Sequence, residues 1–465
     1  MSIQITHLLV FLSIAIAVVS AFSPADHYLI DCGTAESTTT VDLDHRSFTG
    51  DGSSSILSAT RSVASRNSNA NPNLSPIYHT ARVFMKPSDY KFKIKEKGTH
   101  LVRIHFQRFN FQNIGSVCHD QFHVSANGYV LLHNFSAPKR NPSIKDFLIS
   151  IDDDELVIRF IPVDKSSFAF VNAIEVISAP KDLIPDNQSD GVNMKHAFET
   201  VYRINVGGVK VTPFNDSLWR NWVPDDEFLK SGDDSVKSYS KIHFDGRIQY
   251  HLGGASREVG PDNVYNSARI VSSLNDSIPK LNITWLFPVK NGFSYLVRLH
   301  FCDIASISLG MIYFNVYLNG NLAYENLDLS TLANYKLASP FYADFVVDSE
   351  KFSGVIRVDI GPSSLSMPHA VDGILNGLEI WKMDNSMKSL DGEVFADQLE
   401  SKNRSNGQMG RLLSLTAAVC LLAIAFLVMR RKTEAKHSTG WSQLPVDMPE
   451  IDLKSIHQKS TGVNV

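Results

Sequence analysis

Self-similarity constrains this chain more than any other feature of its 465 residues. Tyr28-Leu29-Ile30-Asp31-Cys32-Gly33 is answered by Tyr202-Arg203-Ile204-Asn205-Val206-Gly207. Tyr78-His79-Thr80-Ala81-Arg82 returns as Tyr265-Asn266-Ser267-Ala268-Arg269, and His100–Phe106 returns as Tyr295–Phe301. Asn127-Gly128 matches Asn319-Gly320, and Phe170–Val176 matches Ile374–Ile380. The landmarks keep their order at offsets of 174 to 204 residues, so the repeat unit is a whole domain rather than a solenoid turn. The halves are expected at 26–180 and 200–384, joined by a linker at 181–199.

Each half reads as all-β. Val102, Ile104 and Phe106 alternate with Arg103, His105 and Gln107, and the second copy repeats the alternation, which places the two sets on opposite faces of a strand. Further strands are expected at 122–126, 129–133, 155–161, 312–318 and 355–360. Asn127-Gly128 and Asn319-Gly320 carry the tight-hairpin signature, because Asn-Gly tolerates the positive φ angles of a type I′ turn. Short strands separated by Gly, Pro, Asn and Asp favour β-sandwiches of jelly-roll type. No long helical periodicity occurs before residue 412.

Two apolar segments bear on topology. Residues 1–21 have the length and the small-residue end, Val19-Ser20-Ala21, of a signal peptide, although only His7 supplies n-region charge. Residues 412–429 are 18 uncharged residues followed at once by Arg430-Arg431-Lys432, the pattern of a transmembrane helix with its basic flank in the cytosol. A type I single-pass protein of the plasma membrane is therefore expected, with a polar stalk at 385–411 and a cytosolic tail at 430–465. Seven Asn-x-Ser/Thr sequons, at Asn73, Asn134, Asn187, Asn215, Asn275, Asn282 and Asn403, all fall on the proposed outer side. Formal net charge is −4, with no basic excess of the kind nucleic acid requires.

Chemistry-bearing residues are few. Cys32, Cys118 and Cys302 lie outside the membrane segment, so at most one disulfide forms among them; Cys32–Cys118 is the natural pair, and buried thiols acting as small hydrophobes are the alternative. Asp152-Asp153-Asp154-Glu155 could hold Ca²⁺ but lacks a loop spacing for it, and reads as a solvated turn. Asp225-Asp226-Glu227 and Asp233-Asp234 could pose as a glycosidase pair, yet adjacency does not supply the carboxyl separation that chemistry needs. The duplicated Arg-x-His (Arg103/His105, Arg298/His300) reads as structural. Trp219, Arg220 and Trp222 are the candidate ligand-binding residues, since Trp and Arg concentrate at recognition surfaces, with core packing as the alternative. No cofactor, metal site or catalytic residue is expected.

These landmarks resemble the tandem malectin-like ectodomain of the plant FERONIA/THESEUS/ANXUR receptor-like kinases. The matching stretches are Tyr28–Gly33, Ala169–Val176, Val201–Gly208, Ser217–Trp222, Tyr295–Cys302 and Asp372–Met383. The resemblance implies two malectin-like β-sandwiches, a cell-wall-sensing role, and partners of the rapid-alkalinization-factor peptide type with a GPI-anchored co-receptor; cell-wall polysaccharide is a further ligand it suggests. It also implies a cytosolic kinase of about 250 residues or more. Only 36 residues follow the membrane segment, and neither a Gly-rich loop, H-R-D-L-x-x-x-N nor D-F-G occurs. The expectation is a receptor-like protein without its own kinase, signalling through full-length receptor kinases or competing with them as a decoy. The alternatives are a truncated gene model of a receptor kinase and a secretory-pathway lectin for N-glycans.

Overall fold

The structure, a computed structural model, describes residues 22–53, 55–111, 118–184, 196–230, 239–251, 253–272, 282–348, 354–367 and 370–399. The signal peptide, the 412–429 segment and the tail lie outside the described residues. Among the described residues no helix is long and apolar enough to cross a membrane.

The described chain is almost wholly β. Both Asn-Gly pairs adopt positive φ at each residue, 41° and 88° at Asn127-Gly128 and 50° and 81° at Asn319-Gly320, as a type I′ hairpin turn demands. The first turn joins strands Phe122–Ala126 and Tyr129–Phe135, and the second joins Tyr313–Leu318 and Asn321–Asp328. In the first half these hairpin strands extend through Glu155–Pro162, Ser88–Lys93 and Leu57–Ala59 into a five-stranded sheet. The second half repeats the layout with Val355–Pro362 and Ile283–Pro288 in a four-stranded sheet.

The facing sheets of the two halves are one sheet. Its order runs Thr39–Val41, Ser47–Gly50, His27–Asp31, Ala173–Ser178, Gly98–Phe106 and Ser143–Ile151, and then crosses to Phe198–Asn205, Gly377–Met383, Tyr295–Cys302 and Pro340–Val347. The crossing is a short antiparallel pairing, Phe147 opposite Glu199 and Leu148 opposite Phe198.

Each half has its own apolar core. Val102, Ile104, Phe106, Phe122, Phe160 and Phe170 pack in the first; Trp285, Val297, Leu299, Phe301, Phe314 and Ile360 pack in the second. A third cluster lies at the seam, where Leu29, Phe48, Leu101 and Leu148 meet Phe198, Leu218, Leu296 and Trp381. The seam explains a departure from simple alternation. Leu101 to Phe106 are all buried, because one face of that strand meets the first core and the other meets the seam and a polar network.

Residues 385–399 also depart from expectation. They do not form a free stalk: Leu390 is fully buried in the first core, and Ala396 and Leu399 pack on Val130 and Ile161.

Candidate functional site

A chain of buried polar side chains runs through the shared sheet. In the first half the Tyr78 hydroxyl lies 2.9 Å from His105 Nδ1, and His105 Nε2 lies 2.8 Å from Glu175. A carboxylate only accepts, so the Nε2 proton points at Glu175 and Nδ1 accepts from Tyr78. Arg103 and Arg46 both donate to Glu175 Oε2, at 2.6 and 2.8 Å. The second half holds the same chain: Tyr265 hydroxyl to His300 Nδ1 at 3.0 Å, and His300 Nε2 to Glu379 at 3.2 Å. Arg298, the sequence counterpart of Arg103, turns instead to Asp344 and to the Leu183 carbonyl. Arg203 takes its place, donating to Glu379 at 2.6 Å.

Asp146 joins the two chains. It accepts from Arg203 at 3.0 Å and lies 3.5 Å from Arg103. The polar path therefore continues from Tyr78 in one half to Tyr265 in the other. Burial drives the pKa of both carboxylates up, but the guanidinium groups and imidazole N–H outweigh it. Arg103 and Arg46 hold Glu175 well below the usual carboxylate range, and Arg203 and His300 hold Glu379 at about 2. Burial lowers His105 and His300, keeping both neutral. A Tyr–His–Glu chain in an open cleft would be acid–base machinery. Here every member is buried, so the network offers no surface to a substrate and instead fixes the sheet.

A second duplicated constellation sits beside each Gly turn. Asp51 accepts from the Gly33 amide, from Arg82 and from the Tyr90 hydroxyl. Asp225 accepts from the Gly207 amide, from Arg269 and from the Trp285 indole N–H. Gly33 and Gly207 have φ of 89° and 71°, and a Cβ at either would stand 2.3 Å from a backbone carbonyl oxygen, so only glycine closes the turn. Asp225 is thus a buried ion-pair partner, while Asp226 is exposed and binds Lys241 and Arg269. Asp225 and Asp226 do not form a carboxyl pair for glycoside chemistry, and Asp233-Asp234 lie outside the described residues.

The predicted binding trio lands differently from expectation. Arg220 and Trp222 are fully buried: Arg220 and the Trp222 indole N–H both donate to Asp216. The first half contains the same unit 174 residues earlier, with Arg46 bound to Asp42 and lying over Phe48. The trio belongs to a duplicated structural turn, Asp-x-x-x-Arg-x-aromatic, and two of its members are core. Trp219 keeps partial exposure. It and its counterpart His45 both have positive φ, 53° and 63°. Each reaches the other half: Trp219 stacks on His27 at 4.5 Å, and His45 meets Phe214 edge-on at 6.3 Å.

Cys32, Cys118 and Cys302 are free thiols, so the Cys32–Cys118 bridge is not formed; Cys32 and Cys302 are fully buried, acting as small apolar residues. Asn73, Asn134, Asn215 and Asn282 are exposed, whereas Asn187, Asn275 and Asn403 lie outside the described residues. Asp152–Asp154 form an exposed turn, in which Asp154 binds Lys97 at 2.9 Å. Among the described residues no three His, Cys, Asp or Glu side chains gather as a metal-binding group would. A cleft of about 480 Å³ lies between the first half's outer sheet and residues 396–397, lined in part by Asn127, Asp153, Glu155, Arg159 and Asp397.

Comparison with known proteins accounts for this architecture. The malectin-like domain family matches residues 30–383. The receptor-like protein kinase HERK 1 of Arabidopsis thaliana is 37% identical over 95% of this chain and 53% of its own length. The chain spans about half the length of the curated relatives it matches. A crystal structure of the plant receptor-like kinase FER superposes with a TM-score of 0.67 at 30% identity, covering 79% of this chain and 99% of that one. A structure of the plant peptide RALF23 in complex with FER and LLG2 matches at TM-score 0.67 and 30% identity, covering 80% of this chain and 99% of that one. The chain belongs to the malectin-like family of FERONIA/THESEUS/ANXUR-type receptor-like kinases.

Proposed function

We propose that this chain is the ligand-recognising ectodomain of a plant plasma-membrane receptor, and that it binds a secreted peptide of the rapid-alkalinization-factor type together with a small GPI-anchored co-receptor. The observation that carries the reading is the match to the ectodomain seen with RALF23 and LLG2, which extends over nearly all of that ectodomain. The fold supports it. Two sandwiches locked by one sheet and a buried ion network give a preorganised body, which lowers the entropic cost of binding a flexible peptide. Within that reading, Trp219 at the seam, stacked on His27, is the member of the Trp219/Arg220/Trp222 trio available for contact, and His45 with Phe214 forms a second aromatic pair between the halves. Cell-wall polysaccharide is a second ligand class for the same exposed aromatics, since sugar faces stack on such rings.

The test is display of the full chain on plant cells, with and without the co-receptor, and exposure to labelled peptide or labelled oligogalacturonide. Surface labelling by peptide that increases with the co-receptor supports the proposal. Labelling by the oligosaccharide alone shifts it to wall polymer. Retention inside the secretory pathway with N-glycan binding replaces it by the lectin reading.

A further inference from the structure

Residues 384–399 leave the second half and cross to the first. Asp384 is held at the second half's opening strand, where its carboxylate binds His196 at 2.8 Å and its amide donates to the Ala197 carbonyl. The chain then turns through Asn385–Ser389, with Lys388 at a φ of 55°. Beyond that turn it pairs with Tyr129–Phe135, the edge strand of the first half's outer sheet: the Val130 amide donates to the Lys388 carbonyl at 2.9 Å, and the Leu390 amide donates to the Val130 carbonyl at 2.8 Å. Leu390 enters the first core. Asp391 accepts from the His133 amide in the first half at 3.0 Å and from Lys290 of the second half at 2.8 Å. Ala396 and Leu399 continue the apolar contact over Val130 and Ile161.

We propose that residues 384–399 are a latch. The edge strand Tyr129–Phe135 is a strand-addition surface, and its occupant is this segment of the same chain. Three features make the occupant specific: two main-chain hydrogen bonds, a leucine in a core socket, and one carboxylate shared by both halves. An open sheet edge invites pairing with other chains, and the latch covers it. The latch also fixes the point from which the chain continues beyond Leu399, on the first half's outer sheet rather than at the end of the second. A ligand or partner that pairs with this edge must first displace the latch.

The test is hydrogen exchange on the full chain, comparing the natural sequence with Leu390→Asp and Asp391→Asn. The Val130 and Leu390 amides are expected to be protected. Leu390→Asp is expected to raise Val130 exchange about tenfold or more while Leu101–Phe106 stay protected, because the opening is local. A synthetic peptide of residues 384–399, in excess, is expected to restore Val130 protection in that variant, and a scrambled peptide is not. If Leu390→Asp also deprotects Leu101–Phe106, Asp391→Asn decides, with a smaller rise confined to the latch and residues 129–133. Unprotected Val130 in the natural chain, or exchange unchanged in both variants, overturns the latch.

Discussion

Asp31 and Asn205 hold the same place in the two halves, one an ionisable carboxyl and the other a neutral amide. Asp31 is buried and accepts from the Thr40 and Thr80 hydroxyls at 2.5 and 2.8 Å; Asn205 accepts from Ser267, the counterpart of Thr80, at 2.9 Å. Burial pushes the Asp31 carboxyl up to about 6, against the opposing hydroxyl hydrogen bonds. The folded chain therefore binds this proton more tightly than the unfolded chain. Its stabilising contribution is full below about pH 4 and is lost as pH rises to about 6, by roughly 3 kcal/mol at most. Asp31→Asn is expected to remove that slope and to leave the chain more stable at pH 7, read by urea denaturation from pH 4 to 7. Glu175 and Glu379 act in the opposite sense. Their folded pKa values are depressed, so their contribution is present above about pH 4.5 and is lost on acidification. Glu175→Gln removes the carboxylate that Arg46 and Arg103 share, leaving Arg46 only Asp42 and Arg103 only Asp146, and is expected to cost about 3 kcal/mol at neutral pH, a loss read from the denaturation midpoint.

At the scale of elements, the Gly turns are the most exacting. Gly207→Ala places a methyl 2.3 Å from the Ala268 carbonyl at a φ of 71°, and the same holds for Gly33→Ala against Ala81. Each is expected to destabilise by about 2 kcal/mol or more and to lower the melting temperature by several degrees, measured by calorimetry. Much at this scale was legible in the sequence. Strand alternation, the two Asn-Gly turns and the order of the repeated blocks each have a local cause, and the structure places strands where those patterns lie. The Arg-x-His repeat was legible as structural, but its partners were not: Glu175 lies 70 residues from His105, and Glu379 receives its guanidinium from Arg203 rather than from Arg298. Trp219-Arg220-x-Trp222 looked like a recognition surface because composition alone does not reveal burial; the matching Asp42…Arg46…Phe48, at an offset of 174, was the signal that marked it as a structural turn. The docking of Leu390 had no periodic trace, since scattered apolar residues without helical or strand spacing carry their information in contacts with strand Tyr129–Phe135, far away in sequence.

At the scale of the whole molecule, the two halves are bound by a shared sheet, an apolar seam, the Asp146 bridge and the 384–399 crossing. A chain so joined is expected to unfold in one calorimetric transition over its described part, and Arg203→Ala is expected to lower that single transition rather than split it. The same rigidity underlies the receptor reading, because a ligand bound at the seam meets parts of both halves already in place. Titration calorimetry of the purified chain with a rapid-alkalinization-factor peptide, in the presence of the GPI-anchored co-receptor, tests that reading most directly. Saturable binding at micromolar concentration or tighter, weakened about tenfold by Trp219→Ala in chain that still melts in one transition, is the predicted result. Absence of binding by peptide and co-receptor at 100-fold higher concentration, from chain that melts as a folded protein, would contradict it.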